Sequence, residues 1–299
     1  MALTMLTVSV LLFLLLEINV DSVATKVLGP YSTVEQRQIW LAENGYDRTA
    51  YVRYFEWLGG FVTGDLGQSI RFKVPVADIV WDRLGNTAIL AGLTFALMVP
   101  LALLLGILAG MREASLMDRS ISIFSIITTS IPEFASAVFF SAIFVFWLGW
   151  LPGTSTMSGG FEWLQMVMPV AVLLLYGLGY IQRMTRASMV EVMTSPYIRT
   201  AVLKGIPYGR VITRHAIRNA LIAPFTVIVL QINWLLSGVV ITEYFFAYKG
   251  FGALLLEASL NQDIYVIEAC AMIAVFVAVA TQIIGDIGYA LLNPRIRLQ

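Results

Sequence analysis

The sequence predicts an all-α, polytopic membrane protein of six transmembrane helices. An external helical insertion separates the first two spans, and a short cytoplasmic helix lies between the fourth and fifth. Three observations predict this. Of 299 residues, 59% are hydrophobic and only 13% charged, against about half and a quarter in soluble proteins. Six apolar runs reach the length of about 20 residues that a helix needs to cross the hydrocarbon. The basic residues between those runs fall mainly on one side.

The spans are 2–20, 87–110, 121–150, 164–182, 220–242 and 265–292. The third is too long for an untilted crossing and contains Pro132, which predicts a kink, or an interfacial extension near Trp147 and Trp150. The first has no basic n-region and no small-residue cleavage site, so it reads as a retained span rather than a cleaved leader. With both termini inside, the inner loops 111–120, 183–219 and 293–299 carry eleven basic residues against three acidic ones. Outside, 21–86 holds seven basic and eight acidic residues, and Glu162 with the stretch 243–263 adds four acids against one lysine. Short loops rich in Lys and Arg stay in the cytoplasm, so the expected topology is N-in, C-in.

Segment 21–86 is too polar for lipid and too patterned for a linker. "TVEQRQIWLAENG" and "RTAYVRYFEWLGGFV" place apolar residues at helical spacing and end at glycine, as helices commonly do. "GDLGQSI" reads as a turn. "PVADIVWDRLGNT" has Pro75 at a plausible first helical position and leads into span two. A small helical cap is expected here, with a plain solvated connection as the alternative. The domain reading is therefore span one at 1–20, insertion at 21–86, core at 87–292 with a cytoplasmic loop at 187–219, and tail at 293–299.

The most informative loop is "YIRTAVLKGIPYGRVITRHAIRNALIAP", 197–224. Ser195 can cap a helix whose first residue is Pro196, and Gly205 followed by Pro207 stops it after about two and a half turns. A second helix after Pro207 would place Arg210, Arg214 and Arg218 four apart on one face. Like charges at that spacing repel by a few tenths of a kcal/mol. They call for an anionic neighbour: membrane lipid headgroups or an acidic patch on a cytoplasmic protein. A breaker-ended helix of this length makes a poor lipid anchor and a good knob for a partner's cleft.

"RTAVLKG" followed by "RHAIRNALIAP" resembles the signature cytoplasmic loop of bacterial ABC-importer permeases, in the variant of the dipeptide, oligopeptide and nickel subfamily. The general pattern is Glu-Ala-Ala, three residues, then Gly. Here Arg199 and Thr200 stand in the first two places, while Ala201 and Gly205 remain. "WLGGFVTGDLGQSI" with "PVADIVWDRLGNTAIL", "SIPEF", "GVVITEYFFAYKGFGALLLEASLNQD" and "LLNPRIR" resemble, in order, the first permease subunit of that subfamily, the one with the long external insertion. The N-terminus departs from the family: no Lys or Arg precedes Lys26, and "NVDSVATKV" stands where members carry a Gly-Asp-Pro-like turn.

The resemblance implies a coupling helix at 196–205 that enters a groove on an ATPase subunit. The expected coupling residues are Tyr197, Arg199, Thr200, Ala201, Lys204, Gly205 and Tyr208. It also implies a related second permease, two ATPase subunits holding ATP and Mg, and an extracytoplasmic solute-binding protein. No nucleic-acid partner is expected, since the formal net charge is zero.

The chain itself carries no GxxxxGK[ST] pattern, so no cofactor or ATP site is expected in it, and it reads as a transport subunit rather than an enzyme. Its single cysteine, Cys270, and single histidine, His215, form no catalytic or metal pattern. Polar residues inside spans are costly and face protein or water. Glu133, beside Pro132, is a candidate for lining a passage or for an interhelical hydrogen bond. Gln231 and Asn233, two apart, cannot share one helical face. Asn233, with Ser237 four residues on, is the favoured passage residue, and Gln231 then meets a neighbouring helix. Glu268 and Asp286 read as interfacial pairs. "TEYFFAYKGFG" reads either as a contact for the binding protein or as an aromatic interface anchor. The competing readings are an ion-gradient-driven secondary transporter, which predicts inverted repeats that the sequence does not display, and a membrane scaffold without a passage.

Overall fold

The computed structural model describes residues 2–17, 24–25, 27–237 and 239–292. The predicted tail 293–299 and the outer end of span one lie outside them. Helix is the regular structure throughout the described residues, apart from one isolated antiparallel bridge between Gln68 and Pro75. By contact, the chain divides into two compact units, residues 1–88 with 249–280 and residues 89–248 with 281–299.

In the first unit, α1 (Ala2–Glu17) is an apolar helix of 16 residues, roughly 24 Å long at 1.5 Å per residue. Two helices follow at the expected places. α2 (Val34–Glu43) starts on a capping box: the Thr33 hydroxyl accepts from the Gln36 amide, and the Gln36 side chain accepts from the Thr33 amide. α3 (Ala50–Thr63) runs through Gly59 and Gly60 and ends only at Gly64, whose φ is 90°. The two internal glycines cost about 1 kcal/mol each as helix formers. Ring contacts on the same helix offset this: Tyr54 lies 5.4 Å from Phe13 of α1, and Trp57 6.2 Å from it. The Ser9 and Tyr54 hydroxyls also share a hydrogen bond of 2.8 Å. Thus α3 lies beside α1, not beyond its end.

α4 (Val76–Met111) begins directly after Pro75 and continues without interruption for 36 residues. The expected border between insertion and core at 86/87 therefore falls inside a single helix. The start after Pro75 is as expected; Asp78, Asp82 and Arg83 only delayed the apolar run to Thr87. In the first unit the N-terminal part of α4 packs through Val76 and Val80 against Phe251 and Leu254 of α11 (Phe251–Asn261) and against Val266, Ala269 and Cys270 of α12 (Ile264–Leu292). Both ends of α11 are fastened. The Phe251 amide donates to Thr87 Oγ1 at 2.7 Å. Beyond its other end, buried Asp263 accepts from Ser69 Oγ at 2.5 Å and from the amides of Ile70 and Arg71 at 3.2 and 3.1 Å.

The second unit is built around α7 (Trp163–Met193). α5 (Leu116–Ser130), α6 (Glu133–Phe140), α9 (Ile222–Ser237), α10 (Val240–Phe245) and the C-terminal part of α4 all pack on it. Leu90, Met98, Leu173, Leu178, Ile181 and Leu235 make its principal core. Gly106 and Gly110 bring α4 against α7. A Cβ at Gly106 would sit 2.5 Å from Thr185 Cβ, and one at Gly110 2.4 Å from Met189 Cβ. Small residues four apart allow this approach where lipid supplies no hydrophobic drive between helices.

Span three departs most from its expectation. α5 and the helical run Glu133–Trp147 meet at 101°. Proline excludes the α region for the residue before it; Ile131 accordingly has φ −84°, ψ 123°, and Pro132 is extended too at ψ 144°. Two extended residues in succession stop and restart the helix, which is far more than a kink. The run closes in a π-helical turn, Ser141–Trp147, with Trp147 and Trp150 exposed as expected of an interfacial extension. Among the described residues, four helices are long and apolar enough to cross a membrane: Val76–Met111, Trp163–Met193, Ile222–Phe245 and Ile264–Gly288; counted as one broken span, the bent pair would be a fifth.

Candidate functional site

Two places in the second unit carry the residues that sequence reasoning singled out. The first is α8 (Pro196–Leu203), which begins and ends as expected. Ser195 holds the N-cap position but does not cap: its hydroxyl donates backwards to the Val192 carbonyl at 2.6 Å. At the other end Gly205, at φ 72°, supplies the left-handed residue of a Schellman motif. Its amide donates to Val202 O at 2.9 Å, and the Ile206 amide to Ala201 O at 3.3 Å.

The helix has two faces. Ile198 and Ala201, three apart, are buried among Met189, Val211, Ile212, Ala216 and Ala220, with Ile206 packed against the same group. Ala201, expected among the coupling residues, is buried in this cluster and packs toward the bundle. Tyr197, Arg199, Thr200, Lys204 and Gly205 are exposed, as is Tyr208 beyond the turn. Asn219 donates to the Tyr197 hydroxyl at 3.0 Å, and the Tyr208 hydroxyl donates to Met111 O at 3.4 Å. Two residues were missed. Leu203 is 79% exposed and Val202 51%. With Ile198 and Ala201 inward, the 100° step of a helix puts Leu203 opposite them, beside Arg199 and Thr200. That signal was in the spacing.

Beyond Pro207 the chain is helical but not one α-helix. Tyr208–Arg210 leads into a π-turn, Val211–Ala216, and then Ile217–Ala220. Arg210, Arg214 and Arg218 are all exposed, adding positive charge beside α8. Deeper in, Asp118 receives Arg186 of α7 through two hydrogen bonds, at 2.5 and 2.8 Å. It also accepts from the Ala114 amide at 2.9 Å, which ties the start of α5 to α7.

The second place is the break at Pro132. Glu133, the first residue of α6, is nearly buried and accepts a hydrogen bond from Thr242 of α10. Thr242 itself is fully buried. On α9, Gln231 is buried and donates to the Gly177 carbonyl of α7 at 3.2 Å, meeting a neighbouring helix as expected, while Asn233 lies half-buried on another face. Ser237 is the last residue of α9; its side chain lies outside the described residues. Tyr176 of α7 stacks obliquely on Trp234 with ring centroids 5.1 Å apart. This aromatic neighbourhood was not foreseen, because its members stand more than 40 residues apart and no local pattern links them.

The aromatic loop after α10 is mostly core. Phe246, Tyr248 and Phe251 are buried, leaving Tyr244 and Phe245 at the surface. Burial, with the Glu243 carboxylate nearby, pushes the Tyr248 phenol up to about 12. It is neutral at every physiological pH. Glu268 is buried, whereas Asp286 is exposed and accepts from Gln282 at 3.0 Å.

A family model described as binding-protein-dependent transport system inner membrane component matches residues 102–298. Relatives align over nearly the full length. A protein of Brucella abortus (strain 2308) named as a peptide transport system permease protein is 33% identical over 297 residues, covering 98% of this chain and 95% of that one. The oligopeptide transport system permease protein AppB of Bacillus subtilis (strain 168) is 31% identical over 299 residues, with coverage of 98% and 95%. A peptide ABC transporter permease protein of Sinorhizobium fredii (strain NBRC 101917 / NGR234) is 31% identical over 297 residues, with the same coverage.

Proposed function

Because this chain belongs to the binding-protein-dependent transport system inner membrane components, and is a multi-pass permease subunit of an ATP-binding cassette importer, we propose that its cargo is a peptide and that α8 is its coupling helix. The observation that carries this is the two-faced α8: a short rod anchored inward by Ile198 and Ala201, presenting Arg199, Thr200, Leu203 and Lys204 outward. Eight residues are too few to hold a helix in water alone, so the rod is a feature of the bundle, shaped for something outside it.

In this reading the partners are a related second permease, two ATPase subunits that carry ATP and Mg, and an extracytoplasmic solute-binding protein. The chain is the first permease type, with six spans, N-in and C-in. α1 supplies the sixth span. α2, α3 and the start of α4 form the external insertion 21–86, the core is 87–292 with the coupling loop 187–219 inside it, and 293–299 is a cytoplasmic tail. Nucleotide draws the ATPase pair together. The docked α8 passes that displacement to α7 and to the helical run 208–237, and the passage beside Glu133, Asn233 and Ser237 changes the side to which it opens. Arg199, Lys204, Tyr197 and Tyr208 meet the ATPase groove, and Gly205 ends the rod cleanly.

Co-purification with chains co-expressed from the same transport system, followed by uptake in proteoliposomes, tests this. Peptide uptake should require ATP, the ATPase subunits and the binding protein together. Uptake by the isolated chain under an ion gradient alone would replace this reading with a secondary transporter.

A further inference from the structure

A cavity of about 230 Å³ opens between the C-terminal turns of α1, through Phe13 and Leu16, and the first turn of α12, through Ile264 and Tyr265. α3 and the turn at Gly45 and Tyr46 supply its other walls. α12 is long and apolar enough to cross a membrane and its apolar stretch starts at Ile264, so a cavity bordered by that first turn lies where hydrocarbon gives way to headgroups. Its walls have the composition of that depth. Tyr46, Trp57 and Tyr265 are rings with a polar tip, the kind that gathers at membrane surfaces. Tyr265 comes in over Gly67, where a Cβ would sit 3.0 Å from the ring.

Two guanidinium groups rest on one turn of this cavity. A Cβ at Gly45 would meet Arg48 Nη2 at 2.3 Å and Nε at 3.0 Å, so glycine lets that arginine fold in, and the Arg53 guanidinium sits 4.9 Å over the ring of the next residue, Tyr46. Among the described residues, Glu56 holds Arg48 through Nη1 alone, at 2.7 and 2.8 Å. That leaves Nη2 and Nε for a further acceptor. On the α12 wall stands Glu268, 3% exposed and one helical turn beyond Tyr265. With Asp65, the lining holds three carboxylates and two guanidiniums. A bare anion meets a net negative wall, and a bare cation meets the guanidiniums. A zwitterion suits both.

We propose that this cavity binds the phosphoethanolamine headgroup of a zwitterionic phospholipid, its phosphodiester at Arg48 and Arg53 and its ammonium at Glu268 and the Tyr265 ring. Guanidinium forks match phosphate oxygens, and ring faces attract an ammonium group. At the roughly 30 Å³ of one liquid water, the cavity has room for about eight small atoms, the size of a phosphoethanolamine group. The lipid tails have a track too: Val10 and Leu6, three and seven residues before Phe13, are exposed on its side of α1. A water-soluble zwitterion would leave that apolar track without use. Lipid binding of this kind goes beyond the peptide cargo and does not depend on it.

The test uses the chain purified with the other chains of its transport system, stripped of lipid in detergent and titrated with phosphatidylethanolamine, phosphatidylcholine or phosphatidylglycerol of equal chain length. Bound lipid is counted by native mass spectrometry. Wild type should hold phosphatidylethanolamine about tenfold more tightly than either competitor, the size of one charge-assisted hydrogen bond at the ammonium. Arg48→Gln should weaken phosphatidylethanolamine about fivefold, the contribution of one basic residue near a lipid surface, and Glu268→Gln should erase the preference over phosphatidylglycerol. Arg48 is exposed, so its variant keeps the test decisive if the buried Glu268 variant fails to assemble. Equal wild-type binding of phosphatidylethanolamine and either competitor, or unchanged phosphatidylethanolamine binding in Arg48→Gln, would overturn the site. Displacement of the lipid by equal concentrations of glycerophosphoethanolamine or trialanine would overturn the lipid reading and put a soluble zwitterion in its place.

Discussion

Replacing Ile198 by alanine tests whether α8 must be gripped by its own bundle as firmly as by a motor. Ile198 is 2% exposed and is the largest side chain that α8 sends into the cluster around Met189 and Val211. Removing three carbons from such a site costs about 2–5 kcal/mol, depending on how far the neighbours collapse. With about 1.4 kcal/mol per factor of ten, a loss near 3 kcal/mol moves the docked-to-loosened balance of α8 roughly a hundredfold. An eight-residue helix has no stability of its own to resist this. A rod that hinges freely is pushed without pushing anything. The expected outcome is a complex that still hydrolyses ATP but imports several-fold fewer peptide molecules per ATP. Ile198→Leu, which keeps the volume and costs less than about 1.5 kcal/mol, should couple normally. The assay is simultaneous measurement of phosphate release and internalised peptide in proteoliposomes. Wild-type peptide per ATP in Ile198→Ala would refute the idea that α8 transmits force through its buried face.

Two further outcomes concern the bundle itself. Asp118→Asn removes the charge that receives Arg186 twice; Asp118 is 3% exposed but Arg186 is 30% exposed, so the penalty for a broken buried pair is discounted to roughly 2 kcal/mol. Thermal unfolding of the purified protein in detergent should register it, and an unchanged midpoint would mean that water already screens the pair. Gly106→Val places a Cβ 2.5 Å from Thr185 Cβ and 2.8 Å from the Gln182 carbonyl. Neither neighbour is a flexible tip, so overpacking of about 1–3 kcal/mol should appear as loss of monodisperse protein on size-exclusion, and a wild-type elution profile would count against the close α4 to α7 contact.

Local rules carried some of this fold and not the rest. The limits of α8 were legible because Pro196, Gly205 and Pro207 act on the backbone where they stand. α2 was legible because its apolar residues fall at helical spacing and the stretch runs out at Gly45. The start of α4 was legible too, from Pro75, but its charged first turns set the apolar run, and with it the border of the core, at Thr87, inside what is one continuous helix. Pro132 was seen, but its consequence depended on whether Ile131 and Pro132 together left the helical region, which composition does not record. Ala201 was placed among the coupling residues from the family pattern; that it shares the bundle-facing side of α8 with Ile198 is seen only in the folded chain. Glu133 with Thr242, and Tyr176 with Trp234, are meetings between distant segments, made only when α6, α7, α9 and α10 assemble.

The fastening of Asp263 to the turn at Ser69, Ile70 and Arg71 bears on how such a protein can be altered. The turn's amides find their acceptor nearly two hundred residues further along the chain, so the stretch between α3 and α4 is no detachable cassette. A graft of that stretch onto a related chain must bring a carboxylate at the foot of the last helix with it, or the transplanted turn will lose the acceptor that shapes it.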